Sequence, residues 1–493
     1  MKLKTTKTLL IASVISLASF VLINTGQSYA ASFTVASGSD ETTTNSSCSL
    51  SEAIGNINDQ AATNTDCPAG DGANDTINLP AGTITLTADL PQITESITIA
   101  GRGMGVSVVD QDSAYGSIAS TTNITVEKTT FINVYATAIL STGGNTVFDQ
   151  IEVDGTGATL ASANPIFSTI GVISENATAD INAEISNIYV HDIVLSADQI
   201  LTTAVVSIGS YDIDANISNI TIKNVDNINA SGPNQAVGLV LGAGLFDSGA
   251  TTGTVNARVN NATINGIQSQ NGSAQGVIIA MITDDNNQMN ASITNSTITN
   301  ISSDGTGFIG GNEGSALFAF GAAENTGTST LTTKNLLLLN NEVDGCKTAD
   351  ASSAFGVNGT SEANITSAGG NLSDDTTCSS YFTQPSDQNN ITNLGSFLAP
   401  LANNGGFVPT MALLQGSPAI DAGVPVSGLT TDARQATRPQ GLAFDSGAYE
   451  SSFSRAVANT NSPSLASTGQ GIWVYLLISV VTVSSGVILI KKR

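Results

Sequence analysis

The sequence predicts an all-β protein, a parallel β-solenoid whose short strands wind as stacked rungs, and three observations carry that expectation. One block returns along the middle of the chain, each copy alternates apolar and polar residues, and the same amide stands at one position of every copy. The block reads Ile181-Asn182-Ala183-Glu184-Ile185-Ser186-Asn187-Ile188, then Ile213-Asp214-Ala215-Asn216-Ile217-Ser218-Asn219-Ile220. It returns as Val255-Asn256-Ala257-Arg258-Val259-Asn260-Asn261-Ala262 and Met289-Asn290-Ala291-Ser292-Ile293-Thr294-Asn295-Ser296, with a weaker fifth copy around Asn335. The asparagine steps through Asn187, Asn219, Asn261, Asn295 and Asn335 at intervals of 32, 42, 34 and 40 residues. Unequal spacing around an unchanged block places insertions in loops between repeated units.

Alternation with period two marks strands, because successive side chains on a strand point to opposite faces. It resumes after the asparagine, as in Thr221-Ile222-Lys223-Asn224-Val225 and Thr297-Ile298-Thr299-Asn300-Ile301. Asparagine between two short strands suits a tight bend, since it tolerates the left-handed backbone region and its amide bonds locally. Stacking then sets these amides in a ladder. Segments 236–245 and 276–282, rich in Val, Leu, Ile, Gly and Ala, supply other faces with apolar side chains turned into a narrow interior. A sandwich of antiparallel hairpins would leave the recurring asparagine unexplained.

The two ends read differently from the middle. Lys2, Lys4 and Lys7 precede an apolar run from Leu9 to Ile23, and Ser28-Tyr29-Ala30 forms a small-residue cleavage pattern, so residues 1–30 are expected to be a signal peptide. Residues 472–490 carry no charge and are followed by Lys491, Lys492 and Arg493, the pattern of a transmembrane helix with its basic end in the cytoplasm. Just before it stands Leu465-Ala466-Ser467-Thr468-Gly469, and motif, apolar helix and basic tail together resemble a sortase cell-wall sorting signal. Ala466 occupies the place usually held by proline. The resemblance implies cleavage between Thr468 and Gly469 by a sortase-like transpeptidase and transfer of Thr468 to an envelope amine. A plain single-pass anchor is the alternative.

Charge bounds the partners. Residues 1–31 and 469–493 hold six of the fifteen basic residues and no acid, which leaves nine bases against forty acids, or −31, in the body. Such a chain repels phosphates rather than releasing their counterions, so nucleic acid is excluded as a partner, whereas divalent cations are attracted. With only 11% charged residues and 48 glycines, a packed, turn-rich fold fits better than an acidic disordered tail. The four cysteines fit an oxidising compartment. Pairing Cys48 with Cys67 and Cys346 with Cys378 is the simplest of three connectivities, closing loops worth about 3 to 4 kcal/mol each in the loop-entropy picture. No Cys-x-x-Cys spacing or neighbouring histidine supports zinc, and no metal site is assigned.

Two further blocks carry a more specific resemblance. Cys48-Ser49-Leu50-Ser51-Glu52-Ala53-Ile54, followed by 75–83 and 90–94, resembles the N-terminal region of CSLREA-type bacterial surface proteins, with Ser51 in place of the usual arginine. Leu401-Ala402-Asn403-Asn404-Gly405-Gly406, Gly416-Ser417-Pro418-Ala419-Ile420-Asp421-Ala422-Gly423 and Asp445-Ser446-Gly447-Ala448-Tyr449-Glu450 resemble the choice-of-anchor Q domain, with Met411 where histidine is frequent. The resemblance implies a right-handed parallel β-helix, the hand also favoured by parallel crossovers in general. The expected organisation is a signal peptide over 1–30, an N-terminal cap and first coils over 31–105, and repeats over 106–345. C-terminal coils and a cap over 346–450, a linker over 451–464 and the sorting signal over 465–493 complete it. Ser49 is expected to cap a short helix with Glu52 three residues on. Near the other end Arg434 and Arg438, close to Asp432, Asp445 and Glu450, read as a structural ion-pair cluster.

Candidate chemistry is thin. A polysaccharide lyase needs calcium-binding carboxylates and a basic proton acceptor, and a glycoside hydrolase needs paired carboxylates. The only histidine, His191, stands beside Asp192 in a repeat position otherwise taken by Lys223-Asn224 or Thr299-Asn300, and reads as an outward-facing strand residue. Asp284 and Asp285 could hold calcium or act as an acid pair, and the run Asp71-Gly72-Ala73-Asn74-Asp75 could hold calcium, but both read as solvated acidic loops. The expected function is an extracellular, envelope-anchored adhesion or interaction module whose surface ligand the sequence does not name, a glycan being one candidate. A surface polysaccharide lyase or hydrolase is the alternative.

Overall fold

The computed structural model describes residues 30–455 except 73, 117, 136, 158, 161–166, 175–179, 196–202, 211, 229–233, 244–252, 284–286, 306–313, 324–325 and 354–359. Residues 1–29 of the expected signal peptide, the motif at 465–469 and the apolar run 472–490 lie outside the described residues, as do Asp284 and Asp285. Among the described residues no helix is long and apolar enough to cross a membrane.

The described chain is mainly β, and its strands form two parallel sheets, one of nineteen strands and one of eight. Each strand pairs with its equivalent in the next repeat. Ile181–Leu195 runs beside Ile213–Asn227, with Ile181 opposite Ile213 and Leu195 opposite Asn227. The second of these pairs onward with Thr254–Asn260 and Thr263–Ser269, and those with Gln288–Thr294 and Thr297–Ser303. The smaller sheet stacks Thr203–Ser210, Asn234–Ala243, Gly272–Thr283 and Gly314–Ala323 in the same way.

In-register pairing turns the alternation of the sequence into columns. Ile185, Ile217, Val259 and Ile293 stack inside, as do Val190, Ile222, Ile264 and Ile298, all fully or almost fully buried. β-branched side chains suit these positions because their stiff χ1 fits a pleated, packed surface. Each such side chain contributes about 1.5–3 kcal/mol by leaving water. The interior is narrow, which explains both the alanine column Ala183, Ala215, Ala257 and Ala291 and Gly276 in the opposite sheet. A Cβ on Gly276 would lie 2.7 Å from both the Ala316 carbonyl oxygen and Ile298 Cγ2.

Two columns of corners bend the larger sheet. Asn187, Asn219, Asn261, Asn295 and Asn335 all adopt positive φ, between 46° and 57°. Lys128 and Gln150 continue this column towards the N-terminus, and Gly370 towards the C-terminus. The amides bond along it: Asn219 Nδ2 donates to Asn187 Oδ1 at 3.2 Å, Asn261 to Asn219 at 3.1 Å, and Asn335 to Asn295 at 2.7 Å. Asn187 in turn donates to Asp149 at 2.7 Å. One junction differs, because Asn261 Oδ1 and Asn295 Nδ2 are both buried and have no partner. Five residues after the corners at Lys128, Asn187, Asn219, Asn261, Asn295 and Asn335 comes another, where Asn133, Asp192, Asn224, Gly266, Asn300 and Asn340 also have positive φ and form a second column.

The helix Leu50–Asp59 starts with Ser49 and Glu52 in a reciprocal capping box, and its Leu50, Ala53, Ile54 and Ile57 join the main core beside the strand Asp75–Asn78. Disulfides join Cys48 to Cys67 and Cys346 to Cys378. The second fastens the 3-10 turn Thr377–Ser380 to the last repeat, where Phe382 enters the main core.

The segment 399–455 departs from the expected end cap, because it returns along the side of the stack. Thr221 Oγ1 donates to the Pro409 carbonyl, Asn261 Nδ2 to the Thr431 carbonyl, and Ala448 N to Thr297 Oγ1. These outward threonines are buried because the returning chain covers them. Toward the last repeats the covered positions turn apolar, and Leu337, Leu339 and Leu372 pack with Leu413, Ala419 and Ile420. A polar knot holds the segment: Arg438 pairs with Glu450 at 2.8 Å and Arg434 with Asp432 at 2.6 Å, with Arg434 also lying 3.5 Å over the Tyr449 ring.

Candidate functional site

Parallel register gathers charges that are far apart in sequence. Asp154 stands opposite His191, and His191 opposite Lys223, while Glu152 stands opposite Tyr189. All face outward beside the second corner column, because inward positions alternate with them. His191 Nδ1 lies 2.8 Å from Asp192 Oδ2, and Nε2 lies 3.4 Å from Glu152 Oε1. Its ring stacks on Tyr189 at 4.2 Å between centroids. Thr130 Oγ1 donates to Glu152 Oε2 at 2.8 Å, and Lys223 Nζ lies 3.3 Å from Asp192 Oδ1.

His191 is therefore outward-facing, as the sequence predicts, yet 9% exposed rather than solvated. Burial disfavours its charged form, but the hydrogen bonds to Glu152 and Asp192 and the charge of Asp154 outweigh that and raise its pKa above 6.5. The same hydrogen bond from His191 holds Glu152 below its usual range, and burial pushes Tyr189 up to about 12. Both ring nitrogens face carboxylates, an arrangement that favours the charged ring and leaves neither nitrogen unengaged.

Ligand atoms of Asp154, His191 and Asp192 lie within 4.8 Å of one another. Asp192 already receives Asn224 Nδ2 at 2.7 Å together with Lys223 and His191. That donor set is an ion-pair network, and it does not leave the carboxylate free for a cation. In the run 71–75, Asp75 accepts two main-chain amides, from Ala31 and Asp71.

The raised and lowered pKa values fix a pH dependence. A raised histidine pKa contributes stability that is complete below the unfolded value of 6.5 and is lost as pH rises through the folded one. Lowered carboxylate values contribute stability present above their unfolded values and lost in acid. His191→Ala, which takes one donor from each of Glu152 and Asp192 and leaves Thr130, Lys223 and Asn224 in place, is expected to cost about 1–3 kcal/mol at pH 6 and less at pH 9. Denaturant unfolding at the two pH values measures the difference.

Asn224 leads from this cluster into a groove of about 370 Å³ lined by Asn265, Gly266, Gln268, Asn300, Ser302, Asn340 and Glu342. The groove crosses four repeats, and its lining is almost wholly amide, hydroxyl and carboxylate. Asn300 Nδ2 donates to Asn265 Oδ1 at 2.6 Å, so part of the lining is held in place by its neighbours. A second groove of about 250 Å³, with Asp180, Asp212, Asp214 and Asn256, opens where the first strands of the repeats begin. Neither groove is evident from the sequence, although asparagines paired five residues apart at 219 and 224, 295 and 300, and 335 and 340 signal the second corner. No family model, curated protein or solved structure matches the chain.

Proposed function

We propose that this chain is an exported surface protein, a right-handed parallel β-solenoid held at the cell envelope through 465–493, that binds an extended neutral or cationic glycan along its second corner column. The groove from Asn224 to Glu342 carries this reading. Amides and hydroxyls both donate and accept, as a polyhydroxylated ligand requires. They recur with the roughly 4.8 Å step between paired strands, comparable to the length of one sugar unit. The −31 charge of the body disfavours polyanionic ligands. Attachment by a sortase-like transpeptidase at Thr468 would present this lateral face outward.

A glycan array probed with the chain 31–493 in mild detergent tests the reading. Retention of neutral or amino-sugar polymers is expected, with Asn265→Ala combined with Gln268→Ala weakening it by about tenfold, as loss of two neutral hydrogen bonds implies. Unchanged binding by that variant would remove the groove from the account. Among the described residues a polysaccharide-cleaving activity could draw on Glu152, Asp154 and His191, whose atoms already pair with one another. Release of soluble fragments from the retained polymer would decide for it.

A further inference from the structure

The amide of Ala31 donates to Asp75 Oδ1 at 2.7 Å, and the amide of Asp71 donates to Asp75 Oδ2 at 3.2 Å. Asp75 is 1% exposed, and the Asp71 carboxyl is its like-charged neighbour. Among the described residues no lysine, arginine or histidine pairs with Asp75. Burying a carboxylate without a cation is costly, and burial accordingly pushes the Asp75 carboxyl above its ordinary range.

The position of the Ala31 nitrogen is set by strand pairing. Ser32–Thr34 runs parallel to Asp75–Asn78, with Ser32 opposite Thr76, and Thr76 N donates to the Ala31 carbonyl at 2.9 Å. That nitrogen belongs to the bond directly after Ser28-Tyr29-Ala30, the cleavage pattern of the expected signal peptide. We propose that Asp75, with Asp71 beside it, is a receptor for the α-ammonium of Ala31, so that signal-peptide removal fastens the first strand to the next. The inference rests on the export reading above.

In the hydrolysis, the oxygen of water adds to the Ala30 carbonyl carbon and the bond to the Ala31 nitrogen breaks. Ala30 leaves as a carboxylate, and the nitrogen takes up protons from water to become –NH₃⁺. One neutral N–H on the Asp75 carboxyl is thereby replaced by a cation with three donors. Hydrogen bonds between ionised partners are roughly twice as strong as neutral ones.

Two forms of the chain to Arg493 test this, one beginning at a free Ala31 and one carrying a Gly-Ser extension ahead of it. Amide exchange at Thr76 is expected to be about tenfold slower in the free-amine form, the effect of one pKa unit of interaction. Asp75→Asn should abolish the difference, and acetylation of the Ala31 amine, which changes no residue, should reproduce the extended form. Equal exchange in both forms, or a difference that survives Asp75→Asn, overturns the proposal. Sequencing the N-terminus of the surface protein reads export separately: a start elsewhere than Ala31 also overturns the proposal, and retention of 1–30 removes the export reading with it.

Discussion

Arg438→Ala is expected to lower the stability of the returning segment 399–455 by about 3–5 kcal/mol, the range for breaking a buried ion pair from one side. The guanidinium is out of contact with solvent and donates to Glu450 Oε2 at 2.8 Å, the Asp445 carbonyl at 3.1 Å and the Gly447 carbonyl at 2.8 Å. Without it, Glu450 keeps only the amides of Gln440 and Asp445 as donors. Hydrogen exchange across 430–455 should rise sharply while exchange in the strand Ile213–Asn227 changes little. The cost should be smaller in acid. Burial pushes Asp445 up to about 7 and Glu450 in the same direction, so protonation at low pH relieves the stranded charge. For such raised carboxyls, stability is complete below the unfolded pKa and declines as pH rises through the folded one. Replacing Arg438 and Glu450 together with Met and Leu should cost less than Arg438→Ala alone.

The second large effect is expected at Asn335. Its Nδ2 donates to Asn295 Oδ1 at 2.7 Å and to the Val424 carbonyl at 2.8 Å, while its Oδ1 accepts the Val424 amide at 2.7 Å. Its own carbonyl accepts Gly447 N at 2.8 Å. Leucine would strand these groups in a buried place and also pay for a φ of 55°. Asn335→Leu should therefore cost about 4 kcal/mol, of which roughly 1 reflects the left-handed backbone. Asn335→Gly separates the two contributions, since glycine accepts the backbone but restores no amide, and should recover only that smaller part in denaturant unfolding.

The main pattern of the fold was legible because it repeats. Each copy of the Ile-x-Ala-x-Ile-x-Asn block spells out inward positions, outward positions and a bend, and parallel pairing sets equivalent residues side by side. The second corner was harder to read because its column mixes Asp192, Asn224, Gly266 and Asn300, residues that share tolerance of positive φ rather than chemical identity. The His191 cluster was illegible for another reason. Asp154, His191 and Lys223 are separated by 37 and 32 residues, and only the loop lengths between repeats decide that they meet. Least visible was the path of 399–455. Thr221 meets Pro409 across 188 residues without any periodic signal at either position. The ion pairs around Arg438 could be guessed from proximity, but not the surface on which they hold the chain.

That lateral path bears on how a tethered molecule would carry load. The returning segment touches five successive repeats, through Thr221, Asn261, Thr297, Asn335 and Gly370, and so straddles the junction where Asn261 and Asn295 leave their facing amide atoms unbonded. Under the proposed anchoring through 465–493, tension entering beyond Arg455 would first meet Asp421, which accepts the Arg455 amide at 2.6 Å. From there it would spread as shear over many hydrogen bonds at once. A pull applied to the last repeat alone would instead open the stack one strand at a time, so the splint converts a zipper into a lap joint.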